Sequence, residues 1–360
     1  MTRASTTVGI GLRQDQRALQ DAIERLLAQP GQLAVTRAFC EGNLQPLLTL
    51  AESFRDYGAA AALVAGEFGG LDLGSMEAAL IAHALGRHAS PLCFAGPHAL
   101  APMAIALGGS RAQQWDWLPV IARGEHSIAV SLRPQPELSS TDGLLNGWAR
   151  NITGVLRWDA IIVLDRHGVA YIVDAQEGLH WSALRSVDRS RNFADARLQN
   201  ARAERLDLGP PAKRKLTAFA RLLRAADSLG ACESLVSLAL CYAVERHQFG
   251  RPIAAFQAIK HLCADMAAEL EMARSLFWRA ADSHAADEEG CALLCAQAKA
   301  YLDEAAQLVG RSVIEVHGAM GFTDLAGLHF WTKRIMVNRS IDETPTELRR
   351  DIAVLAGWFA

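Results

Sequence analysis

At 360 residues, with 51% apolar and 21% charged side chains, the chain has room for two or three domains and a large core, which excludes a disordered protein. A formal charge of −3 gives no electrostatic pull toward nucleic acid or an anionic membrane, so neither is expected as a partner. Residues 1–30 interleave Arg, Gln, Asp and Glu with apolar residues, so no secretory signal is read there, and no run is expected to span a bilayer.

In chain order, the first third reads as helices. Residues 15–27 put Leu19, Ile23, Leu26 and Leu27 on one face, and 47–54 continue in the same manner. A turn is expected at Gly66-Glu67-Phe68-Gly69-Gly70, then a helix over 75–85 with Ser75 as its N-cap, and further helices over 98–107 and 112–123. At about Glu125 the period changes to alternation. Short strands are expected over 127–132, 160–164, 169–173 and 193–198, with turns at Asp142-Gly143, Asn146-Gly147 and His167-Gly168. That spacing suggests a β-barrel or sandwich of about 80 residues. Pro210-Pro211 marks the next boundary. Beyond it 218–248, 255–283, 291–317 and 347–358 each carry a broad apolar face, the pattern of a four-helix bundle. The chain is therefore expected to be mainly α with a β domain between, divided at 1–124, 125–209 and 210–360.

The seven cysteines form no CxxC pair, and although Cys291 and Cys295 lie one helical turn apart, no His or acidic side chain is spaced to complete a metal site. Reduced thiols in a cytoplasmic protein, with no bound metal, are expected.

Two runs in the last region carry more specific information. One is Arg246-His247-Gln248-Phe249-Gly250-Arg251-Pro252-Ile253, followed by Phe256-Gln257 and Lys260. The other is Val316-His317-Gly318-Ala319-Met320-Gly321-Phe322-Thr323. With weaker matches at Glu67-Phe68-Gly69-Gly70, Trp117-Leu118-Pro119, Gly124-Glu125 and Leu145-Asn146-Gly147, they resemble the acyl-CoA dehydrogenase family over nearly the whole chain. Taken singly, Arg246 reads as a cation ending a helix and Gly318 and Gly321 as helix breakers. In register with Phe249, Gly250 and Gln257, the resemblance outweighs those readings.

The resemblance implies FAD as cofactor, an acyl-CoA substrate, an electron-transfer flavoprotein as acceptor, and a dimer or tetramer of like or unlike chains. It places Arg246, Gln248, Phe249, Gln257, His317, Gly318 and Ala319 against the adenosine and diphosphate end of a flavin held mainly by a neighbouring subunit. Arg246 offers a planar fork for phosphate oxygens, and Gly250 lets the chain turn. Thr153 and Thr344 are assigned to the flavin by the same comparison, and Arg221 to the substrate side.

The departures are equally informative. Where the family has Thr-Glu-Pro, this chain has Leu132-Arg133-Pro134, and the Gly-Ser-Asp that follows is replaced by a short loop ending at Ser139-Ser140-Thr141-Asp142. The Trp-Ile-Thr triplet becomes Asn151-Ile152-Thr153. The catalytic glutamate falls on Asp342, with Glu343 one position late, and the alternative location on the bundle's first helix is Ala220. Asp342 reads equally as the N-cap of a helix rising from Thr346. The glutamine that opens the glycine motif is Glu315 here, and the second glycine is Ala319. Three readings follow. The chain is one subunit of a heteromeric, steroid-type dehydrogenase that shares FAD with an unlike partner. It is a self-sufficient homo-oligomer using Asp342 or Glu343 as base. Or it is a flavin-free structural or regulatory member of the fold.

Overall fold

The computed structural model describes residues 11–31, 33–154, 158–175 and 178–358, so residues 1–10 of the N-terminal segment discussed above lie outside it. Helices α1 (Gln14–Ala28), α2 (Ala34–Cys40), α3 (Gln45–Asp56) and α4 (Ser75–Arg87) come first. A π-helical turn, Ala95–Leu100, then leads into α5 (Ala101–Gly108), and α6 (Arg111–Ala122) follows. The N-cap of α4 is Gly74 rather than Ser75. The Glu77 carboxylate accepts the Gly74 N–H at 2.9 Å, so the first turn is capped without a hydroxyl, and Ser75 is buried.

Seven strands form the middle region: β1 (Ile128–Pro134), β2 (Ser139–Thr141), β3 (Leu144–Gly154), β4 (Ala160–Leu164), β5 (Ala170–Asp174), β6 (Leu179–Leu184) and β7 (Asn192–Leu206). Their order is β1-β4-β5-β7-β3-β2, with β6 also paired to β7; only β1–β4 is parallel. β7 is long enough to pair with β6 along its first part and with β5 at its end, which curls the sheet around a core of its own that includes Leu145, Ile161, Val163 and Leu198. The expected turn at Asn146-Gly147 is instead a bulge inside β3. Gly147 has φ +125°, and a Cβ there would lie 1.7 Å from the Glu137 carbonyl oxygen, so only glycine fits.

Pro210 and Pro211 open α7 (Pro210–Glu245), where missing N–H groups cost nothing. A two-residue hairpin, β8 (His247–Gln248) and β9 (Arg251–Pro252), leads to α8 (Gln257–Ala285), α9 (Cys291–His317), α10 (Leu328–Asn338) and α11 (Pro345–Leu355). Helix α7 is the axis of the molecule, touching α4, α8, α9 and α10. It crosses α4 backbone to backbone. A Cβ on Gly86 would stand 1.9 Å from the Asp227 carbonyl oxygen, and one on Gly230 would stand 2.0 Å from that of His83. Against expectation, α7 carries a stretch apolar enough to cross a bilayer by length and composition. Half of that window is buried inside the protein, as befits a core helix.

Candidate active site

The predicted site residues fall into two groups at different heights on α7. Arg221 and Arg246 are 25 positions apart, roughly 37 Å at the helical rise of about 1.5 Å per residue.

The first group lies where α7 and α9 end and α8 begins. Leaving α7, Arg246 turns to extended backbone, its carbonyl accepting the Ile253 N–H at 2.8 Å. Phe249 (φ +52°) and Gly250 (φ +73°) are both left-handed, which makes the hairpin tip a type I′ turn. Phe249 is 89% exposed, its ring edge-on to Phe256 with centroids 6.0 Å apart. Gln257 is the first residue of α8, where unpaired backbone N–H groups favour an anion. The end of α9 is tied to the same place by Tyr242 and His317, whose rings stack at 4.4 Å. Burial pushes His317 below its usual range, and Nδ1 is 2.8 Å from the Val313 carbonyl, which fixes it as the donor on a neutral ring. The side chain of His317 is thus engaged in packing. Gly318 reverses the chain at φ +59°, with open space around its Cα, and Ala319 is exposed. Outward-facing Arg246, Gln248, Gln257 and the Gly318–Ala319 backbone suit the diphosphate end of FAD approaching from outside the chain. Glu315 is exposed on α9.

The second group lies between the end of β3, α7 and the loop before α11. Arg221 grips Glu343 through Nε at 2.9 Å and Nη2 at 2.7 Å, and also pairs with Asp351 at 2.6 Å. Arg224, one turn further on, pairs with Asp342 at 2.7 Å and donates to Thr153 Oγ1 at 3.5 Å. Burial raises the Asp342 carboxyl, but the charge and hydrogen bonds of Arg224 outweigh it and hold the group below its ordinary value. Asp342 does not cap the last helix. Thr344 does, its hydroxyl accepting the Glu347 N–H while Glu347 accepts the Thr344 N–H at 2.7 Å. The hydroxyl of Thr344 is therefore occupied.

Deeper in, Arg191 reaches Asp188 at 2.6 Å and Asn338 at 2.7 Å, and Arg334 clasps Asp227. The slot bounded by Cys93, Thr153, Arg191, Arg224, Asp227 and Arg334 keeps a free volume of about 40 Å³, small beside the roughly 300–1,000 Å³ of typical small-molecule sites. A base that takes an α-proton works best with a pKa near the operating pH, and the acyl group must pass between it and the flavin. Here the Arg224 guanidinium bridges Thr153 and the Asp342 carboxylate, and it holds that carboxyl below its ordinary value rather than near the operating pH. Arg191, Arg224, Asp227 and Arg334 were not singled out from sequence. For Arg224 a signal existed: it lies three positions after Arg221, on the same helical face.

The N-terminal domain model of acyl-CoA dehydrogenases matches residues 13–125, and the C-terminal domain model matches residues 209–353. The acyl-CoA dehydrogenase IpdE2 of Mycobacterium tuberculosis is 27% identical over 300 residues, 81% of each chain. The 3-sulfinopropanoyl-CoA desulfinase of Paraburkholderia xenovorans is 36% identical over 149 residues, so the match spans only 37% of that relative and 39% of this chain. A solved structure described as the Tcur3481-Tcur3483 steroid ACAD G363A variant superposes with a TM-score of 0.83 at 24% identity, covering 96% of this chain and 98% of that one. With both domain models in place around the curled sheet, the chain belongs to the acyl-CoA dehydrogenase family, FAD-linked oxidoreductases acting on CoA thioesters.

Proposed function

We propose that this chain is one half of a heteromeric acyl-CoA dehydrogenase, in which an unlike subunit holds the flavin ring and supplies the base. The observation that carries the reading is the fate of the two carboxylates at the base position. Asp342 and Glu343 are each held by an arginine, and Arg224 stands where the acyl carbons would have to pass. The end of the bundle is in the opposite condition. Its arginine, glutamines and glycine backbone face outward and are arranged to serve a cofactor seated on a neighbour. When bound, FAD supplies hydride acceptance for α,β-dehydrogenation. This chain's part is to hold its diphosphate with Arg246, Gln248 and the N-terminus of α8, with Phe249 against the adenine and the Gly318–Ala319 backbone close behind.

Support comes from the relatives as well: the IpdE2 likeness runs along most of both chains, and the steroid ACAD that shares the fold carries two designations in its name. The three-part division at 1–124, 125–209 and 210–360, an acyl-CoA as substrate, an electron-transfer flavoprotein as acceptor and a cytoplasmic setting belong to the same proposal. Flavin absorbance after denaturation tests it. The chain purified alone is expected to carry no FAD, and co-expression with its unlike partner to give one FAD per pair of subunits. About one FAD per chain in the isolated protein overturns the shared-flavin reading.

A further inference from the structure

A cavity of about 410 Å³ lies outside both groups, between α3, the segment running from Pro91 into the π-helical turn, and the near edge of the β domain. Its body is apolar, formed by Leu47, Leu48, Ala51, Phe54, Ala60 and Leu92. Its size lies within the range of about 300–1,000 Å³ typical of small-molecule sites. Its polar lining includes Glu52, Arg55, Glu125 and Asp159, of which Glu125 is paired with Arg123 and Asp159 accepts the Ser127 N–H, so no excess of positive charge is offered to an anion such as a fatty carboxylate or the phosphates of CoA.

The interior has one unusual polar feature. His98 lines the cavity, its side chain makes no hydrogen bond among the described residues, and its Nδ1 is buried without a partner. Burial alone pushes its pKa down to about 4, so the ring is neutral near pH 7 and can either donate or accept a hydrogen bond. A buried polar atom left unpaired is costly, and such groups in folded proteins generally answer to a partner. His98 is carried by the turn Ala95–Leu100, and π-helical turns are rare and concentrate at functional positions. Cys93, Gly154 and Asn192 line both this cavity and the slot that holds Arg224, so the two are neighbours.

We propose that this cavity binds a neutral, largely apolar small molecule of ring size, whose hydroxyl or carbonyl is met by His98. The site goes beyond the shared-flavin reading and does not depend on it, because none of its lining belongs to the surface offered to the partner's flavin.

The test uses 2-naphthol as probe, with naphthalene as its counterpart lacking the hydroxyl, titrated by fluorescence into the full chain alone and in its complex. Saturable binding of 2-naphthol at one site per chain is expected. Ala51→Trp, which fills the cavity, should weaken it at least tenfold, and Leu48→Trp at the exposed mouth repeats the block without loading the core. His98→Leu should cost 2-naphthol about tenfold, about 1.4 kcal/mol, while leaving naphthalene unchanged. The FAD content of the complex should stay the same in all three variants, which separates a failure here from a failure of the shared flavin. Absence of saturable binding, indifference to both tryptophans, or an equal loss of the two probes in His98→Leu would each overturn the proposal.

Discussion

Arg334 shows how one side chain can organise a site it never joins chemically. Its side chain is 2% exposed, and it donates to both Asp227 oxygens, to the Ser90 carbonyl at 2.8 Å and to Ser190 Oγ at 3.2 Å. Burial pushes the Asp227 carboxyl up, but Arg334, Arg191 and Asn338 bring it down to about 2. Replacing Arg334 by Met leaves that carboxylate buried without its cation, and breaking such a pair costs about 3–5 kcal/mol, read as a lower urea midpoint at unchanged slope. The pH dependence has a definite sign. Asp227 has a folded pKa below its ordinary value of 3.8, so its contribution is complete above that value and fades as pH falls toward about 2. The wild type should therefore lose stability more steeply than Arg334→Met between about pH 5 and pH 2.5. Parallel loss in the two proteins would assign the acid sensitivity to other carboxylates. The pairings in this cluster were not legible in the sequence, because Arg334 and Asp227 are 107 positions apart and Arg224 and Asp342 are 118 apart. Arg221 was legible because the resemblance matches it to a family arginine, next to the alternative base position at Ala220.

At the scale of elements, the hairpin after α7 combines a positive-φ aromatic residue with nearly full exposure. A bulky residue with φ +52° is strained, by roughly 1–2 kcal/mol, and Phe249 has no burial to offset that strain. Phe249→Gly should leave the isolated chain as stable as before, or more stable by up to about 1 kcal/mol in urea unfolding. In the complex the same change should lower FAD retention, because the exposed ring is available to cover the adenine. A variant that is destabilised alone yet retains FAD fully would show the ring to be structural instead. Elements with a clear apolar pattern were readable in advance: the long helix expected over 291–317 and the short, fully buried strand over 160–164 coincide with α9 and β4. The elements that escaped share a physical reason. α2 has only seven residues, too few to display a period, and α10 buries Arg334 and Asn338 among its apolar residues, so its inward face looks polar. β3 contains Asn146-Gly147, whose turn chemistry is used for a bulge, and β6 faces solvent through most of its length.

For the molecule as a whole, the decisive asymmetry is between its two ends. Where α7 and α9 terminate, Val244, Phe249, Phe322 and Leu325 are 62%, 89%, 82% and 82% exposed, close to the outward-facing Arg246 and Gln257. Exposed apolar groups beside hydrogen-bonding ones are the ingredients of a subunit interface, whereas scattered single residues need no explanation. At the other height on α7 every arginine near the slot has an acidic partner, which leaves nothing there to offer a substrate. The shared-flavin proposal places a neighbour on that open end. Hydrogen exchange locates that neighbour directly. Amides over 246–256 and 318–325 should exchange quickly in the isolated chain and at least about tenfold more slowly once the unlike subunit and FAD are present, as burial of a mobile surface requires. The turns at Gly143 and Gly168 lie outside that face and should not change, which controls for a general tightening of the fold. Protection confined to the neighbourhood of Arg224 and Asp342 would instead mean that the ion pair opens on binding, and would return the catalytic site to this subunit.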